Sequence, residues 1–156
     1  MKTIILYATK HGAAADIAQR IAERIDGAVT HDLKLGNVPP LSDFDCVIVG
    51  SSVYAGSFRK EAKTFLTKNA EELLKKKLGL FSCGMSESES GEVFKSNVPG
   101  DVLMSAKAKR ALGGAFDPAK ANFFERLIMK VVTKQSGPVN NINDDKIAQF
   151  AETMKA

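Results

Sequence analysis

Short, fully apolar segments alternate with longer segments of helical periodicity along the chain. Three of the apolar segments, residues 3–7, 45–51 and 78–83, predict strands that are buried on both faces. Residues 28–33 are less apolar and predict an edge strand, and residues 106–114 predict a fifth strand. The pattern therefore supplies five candidate strands, three of them central.

The segments of helical periodicity lie between and after these strands. The first, residues 13–25, carries its isoleucines on one face, and Gly27 ends it. Further helices are predicted over residues 58–74, 122–134 and 144–154. Alternating strands and helices with short connections imply right-handed crossovers. We expect one α/β domain over residues 1–156, with a doubly wound parallel sheet and helices on both faces.

The turn after the first strand is a candidate anion site. In a doubly wound sheet, ligands bind outside the carboxyl ends of the strands. This turn runs directly into a helix, whose first N–H groups and dipole favour an anion. Thr9 adds a hydroxyl and Gly12 permits close approach of the backbone. The turn has neither the GxGxxG nor the GK[ST] pattern, which favours a monophosphate. The alternative is that both residues serve only to cap the helix.

Two further turns lie at the same edge of the predicted sheet. Small residues surround Tyr54 in the segment 50–57, so the backbone could approach a flat ring on which Tyr54 stacks. A solvent-exposed loop with an incidental tyrosine is the alternative. The segment 82–85 could contribute backbone polar groups to the edge of such a ring, although this turn alone is weakly informative.

Composition and charge restrict the class of protein. The chain is 44% apolar and 26% charged, as in soluble globular proteins, and no window approaches a membrane span. The net charge of +4 favours acidic partners, whereas scattered lysines without interleaved aromatic residues argue against nucleic acid. Cys46 and Cys83 are too few for a disulfide framework or metal cluster, and we expect both to be packing residues. The first residues read as the opening strand of a mature cytoplasmic protein.

Together the three turns resemble the cofactor site of flavodoxins. The segment Thr9-Lys-His-Gly-Ala-Ala14 is similar to the flavodoxin phosphate loop, and Val49-Gly-Ser-Ser-Val-Tyr-Ala-Gly56 is similar to its aromatic-bearing loop. The resemblance implies flavin mononucleotide (FMN) as cofactor and a flavodoxin-like five-stranded sheet in the order 2-1-3-4-5. The residues that it implies for cofactor binding are Thr9, Lys10, His11, Gly12, Ala13, Ala14, Ser52, Val53, Tyr54, Ala55, Gly56, Ser82, Cys83 and Gly84.

The phosphate loop departs from the flavodoxin pattern at its last position. Ala14 stands where a hydroxyl residue normally donates to the phosphate. Losing one or two such hydrogen bonds, at about 0.5–1.5 kcal/mol each, would weaken FMN retention. Our hypothesis is that the charges of Lys10 and His11 compensate, and an Ala14→Thr variant with unchanged FMN affinity would show that the missing hydroxyl does not matter.

The segment after the fifth strand resembles one particular branch of this fold. The sequence from Leu112 to Gly137, LGGAFDPAKANFFERLIMKVVTKQSG, is similar to the matching stretch of the menaquinone-dependent protoporphyrinogen dehydrogenases. That resemblance implies electron transfer from protoporphyrinogen to a quinone through FMN, with no catalytic side chain that we can name. Residues 116–134 suit a membrane surface or an apolar, carboxylate-bearing substrate. The alternative is that their apolar side packs on the sheet.

Two other functions remain open. The chain is shorter than these dehydrogenases between the fourth and fifth strands, which leaves a soluble electron carrier with an unknown redox partner as the alternative. Carrier flavodoxins are acidic, whereas this chain is basic. A flavin-free regulatory module is disfavoured, because phosphorelay receivers need carboxylates where this chain has Ala8-Thr9 and Ser51-Ser52.

Overall fold

A parallel sheet forms the centre of the computed structural model, which describes residues 1–84, 90–116 and 139–156. The strands are β1 (Thr3–Ala8), β2 (Val29–Asp32), β3 (Cys46–Tyr54), β4 (Ser57–Phe58), β5 (Lys77–Cys83), β6 (Ala108–Ala111), β7 (Ala115–Phe116) and β8 (Val139–Asn140). The five parallel strands lie in the order β2-β1-β3-β5-β6, while β4 folds back antiparallel onto β3. With β4 left out of the count, this is the predicted order 2-1-3-4-5. A separate two-stranded sheet, β7-β8, was not predicted.

Helices cover both faces of the sheet, as predicted. The described α-helices are α1 (Ala13–Ala22), α2 (Lys60–Lys68), α3 (Ala70–Leu73), α4 (Ser90–Asn97), α5 (Gly100–Ser105) and α6 (Asp144–Lys155), with short 3₁₀ turns at Leu33–Leu35 and Leu41–Asp43. Successive residues of a strand point to opposite faces. Ile4 and Leu6 therefore pack under α2 to α5, while Ile5 packs under α1 and α6. Burial on both faces explains why the central strands are continuously apolar.

Three sequence-based boundaries need correction. The third strand extends to Tyr54, so Ser52 and Val53 lie in β3 and not in a loop. Phe58 belongs to β4 and not to the predicted helix 58–74. That helix is also interrupted at Asn69, whose side-chain amide donates to the carbonyl of Phe65 at 3.0 Å and ends α2. The pairing of β3 with β4 accounts for the first two errors, because a two-residue strand leaves no periodic signal.

Several other expectations have a definite outcome. Cys46 and Cys83 are both buried free cysteines, as expected for packing residues. The helix predicted over residues 122–134 lies outside the described residues. Within the described ranges, no helix combines the length and the apolar character that crossing a lipid bilayer requires.

Candidate functional site

The three predicted turns begin at neighbouring positions of the sheet. Ala8 at the end of β1 lies opposite Ser51 of β3, and Ser51 lies opposite Ser82 of β5. Because these strands are parallel, their carboxyl ends lie along one edge of the sheet. The chain segments that leave these strands therefore start side by side, and each supplies part of the candidate site.

The first turn presents backbone N–H groups at the start of α1. The hydroxyl oxygen of Thr9 accepts a hydrogen bond from the Gly12 N–H at 2.9 Å, which closes the turn and leaves the hydroxyl hydrogen able to donate. The first N–H groups of a helix have no intrahelical acceptor, and Gly12, the N-cap of α1 with φ of 100°, has no side chain to accept from them. An anion of phosphate size suits this arrangement.

Ala14 contributes to this turn only through its backbone. Its side chain is fully buried and belongs to the apolar cluster that contains Ile5 and Ile17. A larger residue here would first meet the core under α1. The proposed compensation by Lys10 and His11 stays a prediction.

The second turn is a tight hairpin that exposes an aromatic ring. Ala55 and Gly56 have φ of 50° and 78°, and two consecutive positive φ values are typical of a type I′ turn between antiparallel strands. Tyr54, just before this turn, is 42% exposed. The Lys10 ammonium lies 5.8 Å from the centroid of the Tyr54 ring, within the range of a cation–π contact. This contact brings the first and second turns together.

Two buried polar residues hold this hairpin: Ser51, which lies in the predicted segment 50–57, and Asn97, which sequence reasoning missed. At its base, the Ser51 hydroxyl accepts from the Arg59 N–H and donates to the Ser52 carbonyl, both at 2.9 Å. At its tip, the Asn97 side chain bonds to the backbone of Phe58 and Gly56, both at 3.0 Å. Asn97 stands at the end of a helix, where asparagine is common, so its position in the sequence carries no signal of this role.

The third turn is a close packing of backbone on backbone. The Gly84 N–H donates to the Gly113 carbonyl at 3.1 Å. A Cβ added to Gly114 would lie 2.8 Å from the Gly84 oxygen, so only glycine fits there. A Cβ on Gly84 would lie 3.4 Å from Cβ of Val53, which places the third turn beside β3. The two glycines after β6 were also missed, since nothing local marks them as neighbours of residue 84.

The thiol of Cys83, in the third turn, is buried and has low reactivity. Burial raises the pKa of its thiol to about 12, and a hydrogen bond from the Ala115 N–H offsets only part of that rise. A thiol with such a pKa is almost wholly protonated at neutral pH and is a poor nucleophile. Its part in a binding site is therefore one of shape.

A cleft of about 690 Å³ opens beside the third turn. Gly84 and Gly113 form one side, and residues 140–145 form the other. The predicted residues of the first and second turns do not line this cleft. Among the described residues, no group of three His, Cys, Asp or Glu side chains could hold a metal ion.

The edge of the sheet thus offers two chemically different surfaces. The start of α1 suits an anion, and the exposed face of Tyr54 suits a flat ring. In the third turn, the Gly84 N–H already donates to the Gly113 carbonyl, so this turn contributes mainly a close-packed backbone wall. Space is open around Gly12 and Gly56, where an added Cβ would meet nothing within 4 Å. The described residues therefore fit a phosphorylated, ring-bearing ligand.

Comparison with solved structures supports the same fold. The chain aligns with the rubredoxin:oxygen oxidoreductase of Desulfovibrio gigas at a TM-score of 0.63 and 16% identity, over 98% of this chain and 35% of that one. It spans only about a third of that oxidoreductase. It also aligns with a Fusobacterium nucleatum flavodoxin bound to flavin mononucleotide, at a TM-score of 0.55 and 16% identity, over 99% of this chain and 96% of that one.

Sequence comparison identifies a curated relative and a family. The protoporphyrinogen IX dehydrogenase [quinone] of Escherichia coli (strain K12) is 23% identical over 150 residues, which cover 88% of this chain and 81% of the relative. The model of the family described as "Flavodoxin domain" matches residues 4–141, well over half of the chain. The chain therefore belongs to the flavodoxin-domain family.

Proposed function

We propose that this chain binds FMN at the carboxyl edge of its sheet and acts as an FMN-dependent oxidoreductase. The observation that carries the proposal is the convergence of the first two turns, where the Lys10 ammonium lies 5.8 Å from the Tyr54 ring. One turn offers groups for a phosphate and the other a face for a ring. FMN has both parts, and the flavin supplies the redox chemistry when it is bound.

Each turn has a distinct part in this proposal. Thr9, Lys10, His11 and Gly12 hold the phosphate, together with the backbone N–H groups of residues 13 and 14. The end of β3 and its turn, residues 52–56, lie along the ring, with Tyr54 stacked on it. Residues 82–84 face the edge of the ring through their backbone. The side chains of this site therefore bind and orient the cofactor.

FMN titration of two site variants tests this binding mode. Tyr54→Leu should weaken FMN binding about three- to tenfold, since an aromatic pair contributes about 0.5–1.5 kcal/mol beyond its buried area. Lys10→Gln should weaken it about two- to fivefold, and less at high salt, as expected for an exposed charge. Lys68→Gln, at the far end of α2, removes an exposed lysine away from the site and serves as control. Equal affinity in all four proteins would contradict the proposed site.

For the reaction itself, quinone-linked oxidation of protoporphyrinogen is the leading candidate. The E. coli relative carries that name at 23% identity, and the net charge of +4 suits a substrate that bears carboxylates. Residues 116–134, which we expect to face the substrate or a membrane surface, lie almost wholly outside the described residues. The candidate predicts that FMN-loaded protein oxidises protoporphyrinogen IX with a soluble quinone analogue as acceptor. Fully flavinated protein without this turnover would refute it.

A soluble electron carrier is the second candidate. The alignment with the Fusobacterium nucleatum flavodoxin covers 96% of that protein, so nearly all of that flavodoxin has a structural counterpart in this chain. A carrier would pass electrons between partner proteins without turning over a small substrate. Reduction of the FMN-loaded protein by a flavodoxin reductase, combined with inactivity towards protoporphyrinogen, would favour this candidate.

A further inference from the structure

We propose that Asn97 is a positioning residue for FMN: it fixes the turn at Gly56 and thereby the exposed ring of Tyr54. This inference rests on the proposed function. Asn97 is 8% exposed and lies at the end of α4, about forty residues from the hairpin in sequence. It is one of four buried polar residues among those described.

The side chain of Asn97 uses both ends of its amide. Its oxygen accepts a hydrogen bond from the Phe58 N–H at 3.0 Å, at the second strand position after the turn. Its nitrogen donates to the Gly56 carbonyl at 3.0 Å and to the Val93 carbonyl of its own helix at 2.7 Å. The first two bonds hold both sides of the Gly56–Ser57 segment, and the third fixes the amide on α4.

An apolar contact sets the same helix against the hairpin. Phe94, three residues before Asn97, meets Phe58 edge to face with ring centroids 6.0 Å apart. The packing therefore brings α4 to the hairpin, but it does not choose the orientation of the turn peptides. That choice needs directional bonds, which the amide of Asn97 supplies in a buried setting where an unsatisfied polar group is destabilising.

The clamp that Asn97 forms on Gly56 and Phe58 matters for the site because this hairpin carries the second turn, which lies along the ring in the proposed binding mode. A loose hairpin would leave Tyr54 and the carbonyl of Gly56 in several orientations, and FMN would then bind more weakly and in a less asymmetric environment.

The isosteric variant Asn97→Asp tests this role. Aspartate keeps an acceptor for the Phe58 N–H but replaces the donor to Gly56 and Val93 with an oxygen. Asn69→Asp is the matched control, because Asn69 also donates from a helix end to a helix carbonyl, that of Phe65 at 3.0 Å. The measurements are FMN affinity by fluorescence titration and the visible circular dichroism of bound FMN, both at a temperature where each apo variant is folded.

We expect Asn97→Asp to weaken FMN binding about tenfold or more and to change the visible dichroism, with Asn69→Asp close to wild type in both. A merely structural role would lower the unfolding temperature of both variants and leave the dichroism of bound FMN unchanged. If wild type binds FMN and Asn97→Asp matches it in affinity and dichroism, this inference is overturned while the proposed function stands. If wild type itself binds no FMN, both are overturned.

Hydrogen exchange in the wild-type protein gives an answer even if Asn97→Asp does not fold. The side-chain amide protons of Asn97 should exchange much more slowly than those of Asn37, which is exposed. The Phe58 N–H, buried and bonded to Asn97, should be similarly protected. Exchange of the Asn97 amide as fast as that of Asn37 would overturn the clamp.

Discussion

Gly50 lies where the ring of Phe81 presses against the central strand, and an added methyl group there should destabilise the protein. A Cβ on Gly50 would stand 2.0 Å from Cζ of Phe81, whereas carbon atoms in contact lie about 3.5–4.0 Å apart. The Phe81 ring is fully buried and meets Phe150 edge to face at 6.4 Å, so it has no free space to move into. Overpacking of this kind costs about 1–3 kcal/mol or more.

The expected result for Gly50→Ala is a fall in unfolding temperature of about 3–10 °C, at about 2–4 °C per kcal/mol for a chain of this size. Thermal unfolding followed by circular dichroism measures it. Gly91→Ala is the matched control, because a Cβ there meets nothing within 4 Å and alanine favours α4. In a Phe81→Leu background the penalty of Gly50→Ala should shrink. An unfolding temperature of Gly50→Ala within 1 °C of wild type would refute the reasoning.

Three further predictions concern buried polar groups and thiols. Burial raises the pKa of the thiols of Cys46 and Cys83, so neither thiol should react with a thiol reagent at pH 8 while the protein is folded. Both thiols should react after unfolding, and rapid labelling of the native protein would contradict this prediction. Because both pKa values are raised, the folded state holds the thiol protons more tightly than the unfolded state does. The stability that this contributes is complete below about pH 8.5, the ordinary pKa of cysteine, and falls as the pH rises further. Cys83→Ala should therefore flatten the alkaline loss of stability measured by urea unfolding, and an unchanged slope would count against it. Ser51→Ala should lower the free energy of unfolding by about 1–3 kcal/mol, because it leaves the partly buried N–H of Arg59 without its acceptor. Ser57→Ala, at an exposed position, should cost less than about 0.5 kcal/mol, and equal costs in urea unfolding would contradict this.

The central strands could be predicted from sequence because both of their faces are buried. A segment such as residues 3–7 must then be apolar at every position, which leaves a strong signal in the sequence. The end of β3 could not be predicted in the same way. Ser51 and Ser52 are small and polar, which is typical of a loop, but pairing with β5 keeps them extended. Pairing with the two-residue β4 then extends the strand to Tyr54.

Part of the candidate site could likewise be predicted from sequence, and part could not. The first turn was recognisable because Thr9 and Gly12 act on their near neighbours in the chain, where sequence spacing is informative. The supports of the second and third turns act over about thirty to forty residues. Asn97 reaches Gly56, and Gly114 fits against the backbone of residue 84, through packing that local sequence does not encode. Such contacts become visible only once the sheet has brought the carboxyl ends of its strands together.

The most direct test of this account is the visible absorption spectrum of the purified protein before and after addition of FMN, followed by gel filtration. We predict flavin absorption bands that stay with the protein peak, because in the proposed binding mode the start of α1 and the ring of Tyr54 hold the two ends of the cofactor. A colourless protein that also fails to retain added FMN would contradict the proposed site and, with it, the enzymatic function.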